Sequence, residues 1–151
     1  MICLAIMADI EGHPAPPEGF APTNSRGAFT LHNGPTYRAT ADGDARSGFF
    51  VLDRHCNGMG FLHGGMMSAF ADSSLAWAVW LETRRFSVTL KLTMEYLDIV
   101  RPGAWVEARP TKPIANDQIV HVTTPLFTAS GRRVANADGI FRLMRRRPKA
   151  N

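Results

Sequence analysis

NGMGFLHGGMMSAFADSSLAWAVWL, residues 57–81, is the stretch that decides the fold of this chain. Four glycines precede residues 66–81, a run without glycine or proline that is rich in Ala, Leu and Met. Such residues favour an α-helix, which we predict over about residues 64–82. Because the run is apolar on nearly every side, the helix is expected to be buried all round. It is too short to cross a bilayer comfortably, so no membrane association is expected.

Asp72 is the only charged residue between His63 and Leu81. Burying an unpaired carboxylate is costly, so the group needs a partner or a shifted pKa. Two interpretations follow from the residue alone. Asp72 is either a structural residue bonded to Ser73, Ser74 or a nearby backbone group, or a functional one, since perturbed groups are enriched at functional sites.

The start of the helix, His63-Gly64-Gly65, has the features of an oxyanion pocket. A helix N-terminus presents unpaired N–H groups and partial positive charge, and glycine lets a ligand approach the backbone closely. Acyl-transfer chemistry needs such donors where negative charge develops on a carbonyl oxygen. The alternative is a glycine turn that fits a tight loop. A Walker-type phosphate loop is disfavoured, because no Lys-Ser/Thr pair follows the glycines.

The spacing of Gly64 and Asp72 suggests a site shared between two chains. Eight residues of helix place them about 12 Å apart along the axis and about 80° apart around it. One carbonyl group would not easily contact the Gly64 N–H and a water molecule held by Asp72 of the same chain. If both residues serve one site, a second subunit supplies one of them, and a homodimer is expected.

These residues resemble a known family. The segment HCNGMGFLHGGMMSAFAD is similar to the acyl-CoA thioesterases of the hotdog fold, in the branch related to 4-hydroxybenzoyl-CoA and PaaI-like thioesterases. That branch carries an Asn, a His-Gly-Gly six residues later, and an Asp eight residues after the first Gly. These positions are Asn57, His63-Gly64-Gly65 and Asp72 here. The likeness covers roughly residues 35–143.

The resemblance implies an α+β hotdog fold, a curved antiparallel sheet wrapped around one long helix. It implies hydrolysis of an acyl-CoA to a free acid and coenzyme A, without a metal or cofactor, by a homodimer or homotetramer. Asp72 of one subunit would activate water as a general base, or less favourably attack directly as a nucleophile. The Gly64 N–H would polarise the carbonyl. The predicted site comprises Asp72, Asn57, Gly64, His63 and Thr89 as catalytic residues, and Gly65 for substrate binding.

Three of these roles are more specific. By resemblance, Asn57 contributes a side-chain contact to the carbonyl and Thr89 helps to hold the water. His63 either orders the turn or assists the carbonyl contact, and a structural role alone fits equally well.

Residues 86–96 form the clearest period-two pattern of the chain, which predicts a strand with one face on the core. Strict alternation places six apolar side chains on one face: Phe86, Val88, Leu90, Leu92, Met94 and Tyr96. Thr89 then lies on the opposite face. It can act only if that face meets the substrate channel where two subunits join.

The rest of the chain predicts one domain. Further strands are expected over residues 36–41, 47–53, 104–109, 118–128 and 132–144, with a short helical turn near 26–33. Pro125 indicates a sheet edge or a bulge. We therefore divide the chain into an N-terminal lead-in (1–34), a hotdog domain (35–144) and a basic C-terminal tail (145–151).

Composition narrows the class of protein further. A net charge of +4 and a pI of 9.6 come largely from arginine. No aromatic stacking platform or nucleic-acid motif accompanies that charge, so a solvated terminus is favoured over nucleic-acid binding. Two cysteines, Cys3 and Cys56, form no disulfide framework, which suggests a reducing compartment, and the cytoplasm is the expected location.

Three other functions remain open: an acyl-thioester dehydratase of the same fold, a non-catalytic acyl-CoA sensor, and a basic interaction module. The sensor would not need Asp72. The interaction module would need neither Asp72 nor the glycines.

Overall fold

The computed structural model describes residues 14–25 and 27–145, so Cys3 and all of the basic tail beyond Arg145 lie outside it. Eight antiparallel strands form one sheet in the order β1-β2-β3-β5-β7-β8-β4, with β6 paired to β7. The strands are β1 Phe20–Pro22, β2 Tyr37–Ala39, β3 Ser47–Phe50, β4 Ser87–Tyr96, β5 Trp105–Ala108, β6 Ile114–Asn116, β7 Ile119–Thr128 and β8 Arg133–Leu143. The helices are α1 Ala28–Asn33 and α2 Gly64–Thr83. Neither helix is long and apolar enough to span a membrane.

Helix α2 lies against the inner face of the curved sheet, as the hotdog fold requires. Phe70, Leu75 and Val79 from the helix pack with Phe49 and Phe141 from the sheet. The expectation that α2 is buried all round is wrong for the single chain. A stripe of the helix is exposed or half-buried, because the sheet covers it from one side only. The stripe comprises Gly65, Ala69, Asp72, Ser73, Ala76, Trp77 and Trp80.

Strand β4 departs from the predicted alternation. Its register against β8 shifts between Thr89 and Lys91, so Leu90 is an extra, bulged residue. A bulge transfers all residues beyond it to the other face. Ser87 and Thr89 therefore share the inner face with Leu92, Met94 and Tyr96, opposite the β8 residues Leu143, Phe141, Gly139, Ala137 and Ala135. The prediction that Thr89 faces away from Leu92 is wrong.

The sequence pattern did not predict two of the strands, β1 and β6. β1 pairs with β2, and β6 pairs with β7, and each has only three residues. Pro125 lies in β7, which runs between β5 and β8, so the edge alternative is wrong. The register shifts between Leu126 and Phe127, but the extra residue there is Val134, so the bulge lies in the neighbouring strand β8.

Candidate active site

His63 is the N-cap of α2. Its backbone is extended (φ −66°, ψ 134°), and its Nδ1 accepts a hydrogen bond from the Gly65 N–H at 2.8 Å. A side-chain acceptor at this position satisfies one of the free donors at the helix start. The Gly65 N–H is therefore occupied. The Gly64 N–H makes no hydrogen bond within the part of the chain that the structure describes, so it is free to donate to a ligand.

Asn57 shapes the glycine turn that precedes the helix. Its Oδ1 accepts from the N–H groups of Met59 (2.9 Å) and Phe61 (3.3 Å), and its own N–H donates to the Phe61 carbonyl at 2.8 Å. The side-chain oxygen is thus committed to the loop. Among residues 14–25 and 27–145 no acceptor bonds to the Asn57 Nδ2, so a substrate would meet the NH₂ end of this amide.

Asp72 and Thr89 form a pair on the open stripe of α2. The Thr89 Oγ1 donates to the Asp72 Oδ1 at 2.7 Å. Neither serine considered as a structural partner bonds to Asp72 among the described residues, and Ser74 donates to the Phe70 carbonyl instead. A charge-assisted bond of this kind fixes the orientation of a carboxylate. A carboxylate held in this way can accept a proton from water.

The bulge in β4 is what brings this pair together. Without the extra residue Leu90, the Thr89 side chain would not lie on the same face as Leu92 and Met94, which pack on the core. Bulges often re-aim a side chain beside an active site. The sequence suggested a role for Thr89 only by resemblance to the family, whereas the bulge explains why its side chain lies beside Asp72.

Tyr96 is a site residue that the sequence pattern did not reveal. Its hydroxyl donates to the Gly64 carbonyl at 3.1 Å and lies 2.5 Å from the Ser68 Oγ, which also donates to that carbonyl at 3.0 Å. A Cβ on Gly64 would lie only 3.3 Å from the Tyr96 ring, so glycine permits this close approach. In the alternating pattern Tyr96 counted only as a core residue. The sequence did offer one signal, because Tyr96 carries a hydroxyl group and Ser68, one turn into the helix, carries another that could meet it.

Cys56, next to Asn57, has the properties of a packing residue. Burial, and secondarily the charge of Asp53, raise the pKa of its thiol. A raised pKa keeps the thiol protonated at neutral pH, whereas a nucleophilic cysteine needs the thiolate. Cys56 therefore lacks the properties of a nucleophile.

Comparisons with known proteins identify a family and several relatives for this chain. A model of the thioesterase superfamily matches residues 59–123. The TT0310 protein from Thermus thermophilus is 31% identical, with a TM-score of 0.68 over 79% of this chain and 100% of its own. A mutant of the phenylacetic acid degradation protein PaaI from the same organism is also 31% identical, with a TM-score of 0.60 over 68% of this chain and 88% of its own.

Two more distant proteins extend the comparison. PA0474 of Pseudomonas aeruginosa, a protein assigned as an esterase, is 28% identical over 84% of this chain and 96% of its own. The smu.793 protein from Streptococcus mutans, solved with acetyl-CoA bound, is 16% identical, with a TM-score of 0.65 over 91% of this chain and 98% of its own. At that identity the likeness to smu.793 concerns the fold alone.

Proposed function

This chain belongs to the thioesterase superfamily, and on that basis we propose that it hydrolyses acyl-CoA thioesters at a site shared between two subunits. The observation that carries the proposal is the Thr89–Asp72 hydrogen bond of 2.7 Å on the open stripe of α2. It gives an oriented carboxylate, and the Gly64 N–H eight residues earlier gives a donor for a developing oxyanion.

The reaction that these groups support is a general-base hydrolysis. The thioester carbonyl oxygen accepts a hydrogen bond from the Gly64 N–H, with the Asn57 Nδ2 as a second donor. Asp72 takes a proton from water while the water oxygen attacks the carbonyl carbon. The tetrahedral oxyanion is stabilised at the helix N-terminus until the carbon–sulfur bond breaks. The proton held by Asp72 then passes to the departing thiolate of coenzyme A.

Two subunits are proposed because one helix holds the donor and the base too far apart for one carbonyl. Strand β4, one of the two strands at which the sheet order ends, supports this arrangement. On that edge its ten residues pair with no other strand of the described chain, and the neighbouring apolar side chains Phe86, Val88, Leu90 and Tyr96 are exposed. A ten-residue strand edge without a partner, with exposed apolar side chains beside it, favours pairing with another chain.

Coenzyme A is the proposed carrier of the acyl group, consistent with the acetyl-CoA bound by smu.793. Two of the arginines near the site are engaged within the chain, since Arg132 pairs with Asp98 and Arg85 donates to the Met144 carbonyl at 2.8 Å. Arg84 and Arg133 remain for the phosphates. A cytoplasmic location stays a prediction from the cysteine content.

A thiol-release assay over an acyl-CoA panel tests the proposal. We expect turnover by the wild type and a loss of about 10²–10⁴-fold in kcat for Asp72→Asn, because a positioned general base contributes that much. Asp117→Asn, in the turn between β6 and β7, is the matched control and should keep full activity. Light scattering should find the same oligomer in all three proteins.

Three outcomes would contradict the proposal in different ways. Full activity in Asp72→Asn would show that Asp72 is not the general base. Binding of acyl-CoA without release of thiol would favour the sensor. Formation of an unsaturated thioester from a 3-hydroxyacyl-CoA would favour the dehydratase.

A further inference from the structure

A cavity of about 90 Å³ lies between the N-terminal strands, helix α1 and the middle of α2. Eight of the ten residues that line it carry a hydroxyl group, and Phe70 adds an apolar surface. The residues with a hydroxyl group are Thr23, Ser25, Thr30, Thr36, Tyr37, Ser47, Ser73 and Ser74. Among the described residues, the lining contains one arginine, Arg38, and no Asp or Glu. It is therefore a polar chamber with a single cation.

Arg38 has no anionic partner in the part of the chain that the structure describes. Its guanidinium carbon lies 3.8 Å from the centre of the Trp77 ring, and no hydrogen bond or ion pair joins its side chain to residues 14–25 or 27–145. Burial lowers its pKa, but an arginine stays charged in proteins. The Trp77 Nε1–H is also buried without an acceptor from these residues. Arg38 and Trp77 therefore present hydrogen-bond donors for which the described residues supply no acceptor.

Arg38 lines the cavity and Trp77 lies against it, so the chemistry of Arg38 indicates which ligand would suit the cavity. A half-buried cation is costly unless an anion accompanies it. The planar guanidinium matches the two oxygens of a carboxylate, and the surrounding hydroxyls can donate to the same oxygens. A single water occupies roughly 10–15 Å³ in this measure of volume, so about 90 Å³ holds a carboxylate and a few attached carbons.

The cavity lies next to the proposed base. Ser73, which lines it, directly follows Asp72, and Trp77 beneath Arg38 lies five residues further, about 7.5 Å along the helix axis. We propose that this chamber receives a terminal carboxylate of the acyl group, so that the preferred substrates are short ω-carboxyacyl-CoA thioesters. The inference rests on the proposed function and names its substrate class.

The test compares matched substrates. Succinyl-, glutaryl- and adipyl-CoA are set against butyryl-, pentanoyl- and hexanoyl-CoA, which have the same chain lengths without the charge. We expect the wild type to show a kcat/KM about 10- to 100-fold higher for the best carboxylated substrate than for its neutral match. Arg38→Gln should lose that preference and leave the neutral substrates unchanged. Arg38→Lys should keep part of it, because a lysine retains charge but not the fork geometry.

Arg109→Gln is the matched control. Arg109 stacks on Phe127, with its guanidinium carbon 4.6 Å from the ring centre, and it does not line the cavity. This variant should keep the wild-type preference. Thermal unfolding of both arginine variants checks that Arg38→Gln is folded, and Arg38→Lys provides a second readout if it is not.

Several results would overturn the inference. One is equal rates for charged and neutral substrates in the wild type, and another is an equal loss of rate on both series in Arg38→Gln. A third is weaker binding of free coenzyme A by Arg38→Gln, which would show that Arg38 binds a phosphate rather than a carboxylate. Turnover of neutral substrates alone would leave the proposed function intact and reject the inference.

If no acyl-CoA is turned over, the proposed function fails. Calorimetry on Asp72→Asn then decides the inference separately, with tighter binding of glutaryl- than pentanoyl-CoA supporting it and equal binding rejecting it.

Discussion

At the residue scale, Gly64 has two proposed roles: its N–H donates to the ligand, and its lack of a side chain leaves room for the Tyr96 ring. Gly64→Pro and Gly64→Ala both place a Cβ about 3.3 Å from that ring, but only proline removes the N–H. Proline is favoured at the first helical position, and the extended backbone of His63 suits the residue before it. We expect Gly64→Pro to lose about 10²–10³-fold in kcat relative to Gly64→Ala. Equal thiol-release rates in the two variants would exclude the N–H as the oxyanion donor.

Thr89 is the residue whose contribution depends most on a single bond. Thr89→Val removes the donor to Asp72 and keeps the shape of the side chain. A hydrogen bond to a charged group corresponds to about 10- to 100-fold in rate, so we expect that loss in kcat with little change in KM. Thr93→Val, on the outer face of the same strand, is the control. Unchanged kinetics in Thr89→Val would mean that Asp72 needs no orienting partner.

Sequence and structure agree at the residues whose spacing a helix fixes. The relative positions of Gly64 and Asp72 on α2 were predictable because a helix has one pitch, and eight residues along it define both a distance and an angle. The face of Thr89 was not predictable, since one bulged residue reverses the alternation and Leu90 looks like an ordinary strand residue. The Tyr96 contact with Gly64 depends on the same bulge.

At the scale of elements, α2 depends on its cap. His63→Ala removes the acceptor for the Gly65 N–H and should lower the free energy of unfolding by about 0.5–2 kcal/mol. His63→Asn keeps a good N-cap acceptor and should stay close to the wild type. Urea denaturation of both variants checks this. If His63→Asn loses stability as much as His63→Ala, the imidazole contributes through another contact.

The elements themselves were predictable in proportion to their length. The twenty residues of α2 and the ten or more of β4, β7 and β8 carry enough periodicity to be recognised, and all four appear near the expected bounds. β1 and β6 have three residues each, which is too few for a pattern, and the prolines nearby suggested breaks. Their place in the sheet comes from pairing with β2 and β7.

At the scale of the whole molecule, the exposed edge at β4 predicts an oligomer. Leu90 is 54% exposed on that edge, and a lysine there would put a charge into the proposed seam. We expect Leu90→Lys to shift light scattering toward the mass of a monomer and to reduce activity, with the circular dichroism of a folded chain. Ile114→Lys, on the separate short strand β6 and 71% exposed, should leave the oligomer intact. A full-size oligomer in Leu90→Lys would place the interface elsewhere.

The shared site itself is tested most directly by mixing two inactive variants, Asp72→Asn and Gly64→Pro, after each has been dissociated and the chains have been allowed to reassociate. If each site takes its base from one subunit and its backbone donor from the other, one of the two sites in every mixed dimer is fully wild type. Random pairing makes about half of the dimers mixed, so the mixture should recover about a quarter of the wild-type thiol-release rate. Recovery of that size is the predicted result, and a mixture no more active than its two inactive parents, despite demonstrated exchange of subunits, would contradict it.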